Sequence, residues 1–317
     1  MAATPEITVV IPVFNRAELV RETLDSVLKQ DLRPLAVILV DNNSTDNTLG
    51  VLEQWKRGNE GDGLIIRVLQ EKTPGAAAAR NRGLREVETP LTMFFDSDDL
   101  MAPGHCRRVA EGFRNNPDAD IIGWDCDSSQ ADGSSKLLGF AADKLLYNVV
   151  QLGSLATQRY AARTELFLRA GGWDESCMGW NDIELGIRLL DLSPKVVKLT
   201  GAPTVLVRFT TESITGESFS RHLERWEYAM TLIAATVRRS SSPLLGPERK
   251  ALRILRLRLA ILAGDYTLEG HAEEGERLLA TILREETSRR FRLLYRLTAR
   301  YRAAGLRGAS KLLSPLF

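Results

Sequence analysis

The first hundred residues alternate between short apolar runs and segments with helical periodicity. The runs are "ITVVIP", "LAVILVD", "LIIRVLQ" and "LTMFF", and the first two have the β-branched content of strands buried on both faces. The segment "NRAELVRETLDSVLKQ" places four apolar residues on one helical face: Val20, Leu24, Val27 and Leu28. Asn15 and Glu18 have the spacing of a capping box at its start. This part of the chain therefore predicts alternating strands and helices.

That order of elements predicts an α/β domain with a mostly parallel, Rossmann-like sheet and helices on both faces. Ligands of such sheets bind beyond the carboxyl ends of the strands. Two acidic groups follow such ends, because Asp41 closes the second strand and Asp96, Asp98 and Asp99 follow the fourth. We therefore expect the functional site at this edge of the sheet.

The second half of the chain changes character near residue 218. Residues 103–217 mix strand and helix patterns, whereas the chain from about residue 218 is helical throughout. The apolar positions of its first helix keep a spacing of 3.6 residues: Leu223, Trp226, Met230, Ile233 and Val237. We predict an α/β domain in residues 1–217 and an α-helical domain in residues 218–317.

Composition describes an ordinary globular protein, with 44% hydrophobic and 26% charged residues. The formal net charge of +1 argues against a nucleic-acid partner. There is neither a basic leader nor an apolar run long enough to span a membrane. The three cysteines have no paired spacing, which predicts buried, inert thiols in a reducing compartment. Together these features predict a cytoplasmic protein.

The acidic turn at residues 96–99 is the first candidate site. Carboxylates this close together raise one another's pKa, and a cation would relieve the repulsion. Oxygen-rich clusters suit Mg²⁺ or Mn²⁺, which bind through one or two carboxylates and substrate phosphates. The alternative is a solvated turn that caps the next helix.

A second polar turn, "DNNSTDNT", follows the second strand. Asp41 and Asn43 could hold a nucleotide base or ribose there, or Ser44 and Asp46 could simply cap the following helix. Neither common glycine-rich phosphate loop is present in the sequence. A bound nucleotide would therefore need a metal ion and side chains to meet its phosphates.

The segment "GGWDESCMGWNDIEL" concentrates aromatic and acidic residues before a predicted helix. Trp173 and Trp180 could form a wall for the sugar ring of an acceptor, although such residues more often belong to a core. Asp182 lies near the helix start, where its spacing favours a capping role.

The end of the chain is basic. From Arg284 onward there are nine Arg and Lys residues against two Glu. Arginines recur there at helical spacing: Arg289, Arg292, Arg296 and Arg300. Residues 284–317 could bind the anionic inner face of a membrane or a partner chain, or could be the solvated face of a helical bundle.

Five motifs resemble those of family 2 glycosyltransferases in order and spacing: "ITVVIPVFNRAELVRETLDSVLKQ", "ILVDNNSTDNT", "PGAAAARNRGL", "FFDSDD" and "WNDIELGIRL". The resemblance covers about residues 5–217. It implies a GT-A fold in residues 1–217 and an inverting transfer of a sugar from a nucleotide-diphosphate donor of the UDP, dTDP or GDP type. The acceptor would be a hydroxyl of a glycan or another molecule, and the cofactor Mn²⁺ or Mg²⁺.

The resemblance also implies roles for individual residues. Asp96 would contact the ribose, Asp98 would ligate the metal with help from Asp99, and Asp182 would be the catalytic base. The residues implied around the base are Pro12, Phe14, Asp41 and Arg80.

Two departures from the family pattern bear on these roles. Asn181 and Asp182 replace a commoner acidic pair but keep its second position. Thr210 stands where many members have a histidine near the metal, so the metal affinity is the property most affected. The alternative function is a non-catalytic scaffold with a nucleotide-sugar fold that acts through its helical tail.

Overall fold

The structure, a computed structural model, describes residues 4–208 and 219–317. It divides into two compact units. The first comprises Met1–Ala142, Ser154–Ser176 and Pro194–Thr210, and the second comprises Asp143–Gly153, Cys177–Ser193 and Thr211–Phe317. The predicted domain boundary between residues 217 and 218 lies outside the described residues.

The first unit contains the strands. In chain order they are β1 (Ile7–Val13), β2 (Leu35–Asp41), β3 (Leu64–Gln70), β4 (Leu91–Phe94), β5 (Leu100–Met101), β6 (Ile121–Gly123), β7 (Cys126–Ser129), β8 (Ser135–Leu138), β9 (Tyr160–Arg163), β10 (Val196–Lys198) and β11 (Val205–Val207). Helices are also numbered along the chain, and those of this unit are α1 (Leu19–Leu28), α2 (Thr48–Asn59), α3 (Ala76–Leu84), α4 (His105–Asn115) and α6 (Thr164–Arg169).

The main sheet has seven strands in the order β10-β6-β9-β4-β1-β2-β3. β1 pairs in parallel with both β2 and β4, and β2 pairs in parallel with β3. The predicted mostly parallel sheet is confirmed. Two features were not predicted: β9, which runs antiparallel to β4 and β6, and a second sheet in the order β5-β11-β7-β8.

Helices cover both faces of the main sheet, as predicted. Alternate residues of β1, such as Ile7, Val9 and Ile11, share a buried core with apolar residues of α1, α2 and α4. Val10 points to the opposite face, where α3 packs. A Cβ added to Gly83 on α3 would lie 2.4 Å from Val10 Cγ1, so α3 approaches the sheet more closely than a larger residue would allow.

The predicted capping box at Asn15 is wrong. Helix α1 begins at Leu19 and has no side-chain cap at Glu18. Asn15 instead adopts a left-handed conformation with φ 49°, which asparagine tolerates better than most residues. Its Oδ1 accepts the N–H of Thr45 at 2.8 Å, so this side chain joins two loops and does not start a helix.

The described residues of the second unit are helical. Its helices are α5 (Leu145–Leu152), α7 (Asn181–Asp191), α8 (Leu223–Arg239), α9 (Glu248–Leu268), α10 (Ala272–Glu285), α11 (Arg289–Ala303) and α12 (Ala309–Leu313). Trp226, Met230, Ile233 and Val237 are buried, which confirms most of the predicted apolar stripe. No helix within residues 4–208 and 219–317 is long and apolar enough to cross a membrane.

The three cysteines are buried and form no disulfide, in agreement with the prediction of inert thiols. Burial raises the pKa of Cys106 and of Cys126 to about 12, so both thiols stay protonated at neutral pH.

We expect opposite effects on stability from two glycine substitutions in helices. Gly83→Ala puts a methyl group against the stiff side chain of Val10 and should lower the free energy of unfolding by about 1–3 kcal/mol. Gly58→Ala on α2 meets no atom within 4 Å and should raise it by up to about 1 kcal/mol. Urea unfolding measures both. A Gly83→Ala protein as stable as the wild type would contradict the close approach of α3.

Candidate functional site

The site is built where β1, β2 and β4 end side by side. In the parallel register Val13 lies opposite Asp41, and Val10 lies opposite Phe94. The loops that follow these strands therefore leave the same edge of the sheet. Most of the predicted site residues lie in the first unit, on this edge or elsewhere in that unit: Pro12, Phe14, Asp41, Asn43, Arg80, Asp96, Asp98, Asp99 and Trp173.

Hydrogen bonds join the loops after β1 and β2. The N–H of Asn15 donates to Ser44 Oγ at 3.0 Å, and the N–H of Ala17 donates to Asp46 Oδ2 at 3.1 Å. Asp46 Oδ1 also accepts the N–H of Thr48, the first residue of α2, at 2.9 Å. These polar side chains hold the two loops together, and Phe14 between them is 54% exposed.

Asp41 carries a buried oxygen without a partner. The residue is only 1% exposed, and its Oδ2 accepts the N–H of Ser44 at 3.3 Å. Its Oδ1 has no hydrogen-bond partner among the described residues. A buried acceptor left unpaired costs free energy, and a donor group of a ligand would recover it. An N–H of a nucleotide base has this chemistry.

Arg80 is held between an acid and an aromatic ring. Its Nη2 lies 2.7 Å from Asp96 Oδ1, and its guanidinium lies over the ring of Trp173 at 4.4 Å from the centroid. Trp173 is 2% exposed and also contacts Phe94 edge to face. In this position Trp173 presents no free face to a sugar ring. It packs against the guanidinium of Arg80 within the first unit.

The acidic turn contains more negative charge than its neighbours balance. Burial and the nearby Asp96 raise the pKa of Asp98, although Arg16 and Arg208 act in the opposite direction. Burial, Asp96 and Asp98 raise the pKa of Asp99 to about 9. These shifts have the direction that desolvated, mutually repelling carboxylates produce.

Arg208 holds the turn through both its backbone and its side chain. Asp99 Oδ1 accepts the N–H of Arg208 at 2.9 Å, and Arg208 Nε donates to the carbonyl oxygen of Asp98. The guanidinium of Arg208 pairs with Glu22 at 2.6 Å, so part of its charge is already engaged. The negative charge of the Asp98 and Asp99 side chains is therefore only partly compensated.

Oxygen ligands of this kind fit a divalent cation. No group of three His, Cys, Asp or Glu side chains is arranged as a metal cluster within residues 4–208 and 219–317. A cation that shares its coordination with a diphosphate needs only one or two protein carboxylates, which Asp98 and Asp99 can supply.

Asp182 and Trp180 lie in the second unit, next to the start of α7. Asp182 Oδ1 accepts the N–H of Ile183 at 2.8 Å, a hydrogen bond within the first turn of the helix. Trp180 precedes the helix in a left-handed conformation with φ 47°. Its half-buried ring lies 5.1 Å from that of Trp226.

Sequence analysis missed two residues that shape the site. Asn42, the neighbour of the predicted Asn43, donates to the carbonyl of Thr73 at 2.7 Å and accepts the N–H of Gly75 at 2.8 Å. It thereby positions the loop before α3, whereas Asn43 is exposed. Arg208 is the other. It lies two residues before Thr210, which is outside the described residues.

Comparison with known proteins identifies a family that matches the first part of the chain. A family model described as "Glycosyl transferase family 2" matches residues 8–141. Residues 8–141 belong to glycosyl transferase family 2. The glycosyltransferase domain therefore includes both polar turns and Arg80, whereas Asp182 and the helical second half lie beyond the matched residues.

Relatives and solved structures extend this finding. Validoxylamine A glucosyltransferase of Streptomyces hygroscopicus subsp. jinggangensis is 27% identical over 221 residues, which are 58% of this chain and 51% of that protein. The chain thus spans about half the length of this relative. Poly(ribitol-phosphate) beta-glucosyltransferase of Bacillus spizizenii is 36% identical over 98 residues, covering 30% of this chain and 15% of that protein.

Two solved structures share the fold. S. aureus TarS 1-349 in complex with UDP-GlcNAc has a TM-score of 0.70 at 18% identity, covering 94% of this chain and 87% of that one. Mannosyltransferase PcManGT from Pyrobaculum calidifontis, in complex with GDP-Man and Mn²⁺, has a TM-score of 0.61 at 21% identity and covers 99% and 88%. The predicted GT-A fold followed by a helical region is confirmed.

We expect Asp99→Asn to stabilise the metal-free protein at alkaline pH. The pKa of Asp99 is raised in the folded state, so the wild type loses stability as pH rises from about 4 towards about 9, by at most about 1.4 kcal/mol per unit. Asparagine is neutral and keeps the acceptor for Arg208. Unfolding in EDTA at pH 6 and pH 8 should show the advantage of the variant growing with pH.

The matched control for this experiment is Asp132→Asn. Asp132 lies in an exposed turn, and its hydrogen bonds with Ser134 lower its pKa. Its charge therefore does not change between pH 6 and pH 8, and the variant should follow the wild type. An advantage of Asp99→Asn that shrinks with rising pH would contradict the assignment.

Proposed function

We propose that the chain transfers a sugar from a nucleotide-diphosphate donor to a hydroxyl of a glycan or other acceptor, with inversion and with Mn²⁺ or Mg²⁺ as cofactor. The observation that carries the proposal is the undercompensated acidic turn at Asp98 and Asp99, on the same sheet edge as the unpaired buried oxygen of Asp41. The relatives named as glucosyltransferases and the fold neighbours in complex with UDP-GlcNAc and GDP-Man support it.

The nucleotide would bind along the loops after β1 and β2. The exposed ring of Phe14, next to Pro12, can stack on the base, while Asp41 Oδ1 accepts one of its N–H groups. Asn43 is exposed on the same loop and can donate to the base or ribose. Asp96 uses Oδ1 for Arg80, which leaves Oδ2 for a ribose hydroxyl.

The diphosphate would lie at the acidic turn. Asp98, assisted by Asp99, would hold the metal ion, which when bound offsets the negative charge that builds on the departing diphosphate. The incompletely compensated negative charge of these two carboxylates supports a role in metal binding.

Asp182 would act as the general base. Its carboxylate accepts the proton of the acceptor hydroxyl while the hydroxyl oxygen attacks the anomeric carbon. The bond from that carbon to the diphosphate oxygen breaks as the new bond forms, so the configuration inverts in one displacement. Trp180, two residues earlier, supplies a half-buried aromatic ring for the acceptor sugar.

The first test is thermal unfolding with UDP, GDP, dTDP and CDP, each with Mn²⁺ and with EDTA. A ligand at a hundredfold excess over its Kd stabilises the folded state by about 2.7 kcal/mol. One nucleotide should raise the midpoint with Mn²⁺ and much less with EDTA. Asp98→Asn should lose the part of the shift that depends on Mn²⁺, whereas Asp132→Asn should keep it.

A variant of the proposed base separates nucleotide binding from catalysis. Asp182→Asn should keep the nucleotide-induced shift but release nucleoside diphosphate from the sugar donor about 10²–10⁴-fold more slowly. Release at the wild-type rate would show that Asp182 is not the base. If no nucleotide shifts the midpoint even with Mn²⁺, the scaffold alternative is favoured.

We also propose that α11 binds an anionic membrane surface. Four arginines lie on one face of this helix, and Leu293 and Leu297 beside them are 56% and 53% exposed. The four arginines, Arg289, Arg292, Arg296 and Arg300, form no ion pair with a carboxylate of the described chain. α11 contains no acidic residue. Cations beside exposed leucines match an anionic lipid surface.

Flotation with phosphatidylglycerol-containing vesicles tests this surface. Arg292→Gln/Arg296→Gln should reduce the bound fraction, because each arginine near an anionic surface contributes about 1 kcal/mol. Arg21→Gln/Arg57→Gln removes the same formal charge from exposed positions in the first unit and should leave flotation unchanged. Equal flotation of the wild type and the α11 variant, or binding to neutral vesicles alone, would rule out the proposal.

A further inference from the structure

The segment that carries Asp182 has an unusual backbone conformation that its surroundings must hold. Trp180 lies in the left-handed region, where residues other than glycine are uncommon. Because Trp180 immediately precedes α7, its conformation sets the direction in which the helix, and Asp182 in its first turn, leaves the preceding loop. What fixes the ring of Trp180 therefore bears on the position of the predicted base.

Three aromatic rings of the second unit meet at this point. The ring of Trp180 lies 5.1 Å from Trp226 and 6.2 Å from Phe219, measured between centroids. Trp226 Nε1 donates to the carbonyl oxygen of Phe219 at 3.1 Å, which orients its ring. The backbone of Gly179 presses on the same ring, since an added Cβ would lie 2.9 Å from Trp226 Cε3.

Arg258 of α9 covers another side of Trp180. Its Cζ lies 4.5 Å from the centroid of the Trp180 ring, within the range of a cation–π interaction. Its Nε is buried and has no hydrogen-bond partner among the described residues. The guanidinium is thus held by stacking and by charge.

Two carboxylates of the second unit interact with that charge, those of Asp265 and Asp182. Asp265 already forms an ion pair with Arg302 of α11. Burial lowers the pKa of Arg258 and the two carboxylates act against that effect. Of the two carboxylates, Asp265 interacts with Arg258 more strongly, and Asp182 is the second.

Other charged groups also lie around this segment. Glu184 of α7 pairs with Arg188 of the same helix at 2.6 Å. Glu269, just after α9, accepts the backbone N–H of Phe219 at 3.1 Å. Arg225 of α8 packs against Gly179 through its Cβ.

We infer that Arg258 is a positioning residue for Asp182, which it holds in place through Trp180. The inference rests on the proposed function, in which Asp182 is the base. Arg258 lies on α9, outside the matched residues 8–141. The inference therefore gives the helical second half of the chain a part in the reaction.

The test measures the release of nucleoside diphosphate from UDP-glucose, UDP-N-acetylglucosamine and GDP-mannose with water as acceptor, across pH 4–9, in the full chain. For the donor that is turned over, Arg258→Gln should lower kcat about tenfold or more with little change in the KM of the donor. The acidic limb of its pH profile should move up by about one unit, because an opposite charge near the base has been removed.

Two further variants separate charge from packing. Arg258→Lys keeps the charge but loses the planar stack, so it should keep the wild-type acidic limb while kcat falls. Arg253→Gln is the matched control, because Arg253 lies on the same helix, stacks on Phe291 at 3.9 Å and pairs with Glu286. It should leave the pH profile unchanged. A wild-type kcat and pH profile in Arg258→Gln would overturn the inference.

A thermal unfolding cycle tests the coupling independently of turnover. Arg258→Gln should lower the midpoint more in the wild-type background than in Asp182→Asn, where the carboxylate charge is already absent. Equal losses in both backgrounds would overturn the inference. If Asp182→Asn releases nucleoside diphosphate at the wild-type rate, the proposed function and the inference both fail. If Asp182→Asn is inactive and Arg258→Gln is normal, only the inference fails.

Discussion

Parallel pairing of β1 with β2 and β4 is the constraint on which the site depends. It brings three strand ends to one edge of the sheet, and with them Asp41 and the acidic turn. The shared edge therefore follows directly from the strand pairing. The turn after β4 also carries an electrostatic cost, because its carboxylates are close together and partly desolvated.

The chain offsets that cost only in part. Arg80 neutralises Asp96, and Trp173 and Asp96 keep its guanidinium in place. Arg208 ties the acidic turn through its backbone N–H and shares its guanidinium with Glu22. What remains is a pair of carboxylates, Asp98 and Asp99, in an environment that disfavours their charged forms.

Much of the first unit could be predicted, because its signals are local. Four apolar runs became β1 to β4, and the acids at their ends came together since parallel strands share an edge. β9 and the second sheet escaped prediction, because their strands are short and their pairing joins distant parts of the chain. Asn15 and Glu18 had the spacing of a capping box, but the side chain of Asn15 forms a hydrogen bond with the neighbouring loop instead.

Contacts made over long sequence separations explain the remaining differences. Trp173 was predicted on the acceptor side, but it lies beneath Arg80, 93 positions earlier in the chain. Arg208 and Arg258 carried no local signal at all. Each acts on a turn or helix far away in sequence, and an arginine in a helix or strand is usually a surface residue. Only the folded chain shows which aromatic ring or carbonyl group it meets.

The hydrogen bonds between the loops after β1 and β2 also affect dynamics. Each loop supplies acceptors for the other's backbone, through Asn15 in one direction and Ser44 and Asp46 in the other. Neither loop can open without breaking bonds that hold the other, so the two behave as one cooperative unit. A ligand that touches only Phe14 or only Asp41 should therefore slow amide hydrogen exchange in both loops together.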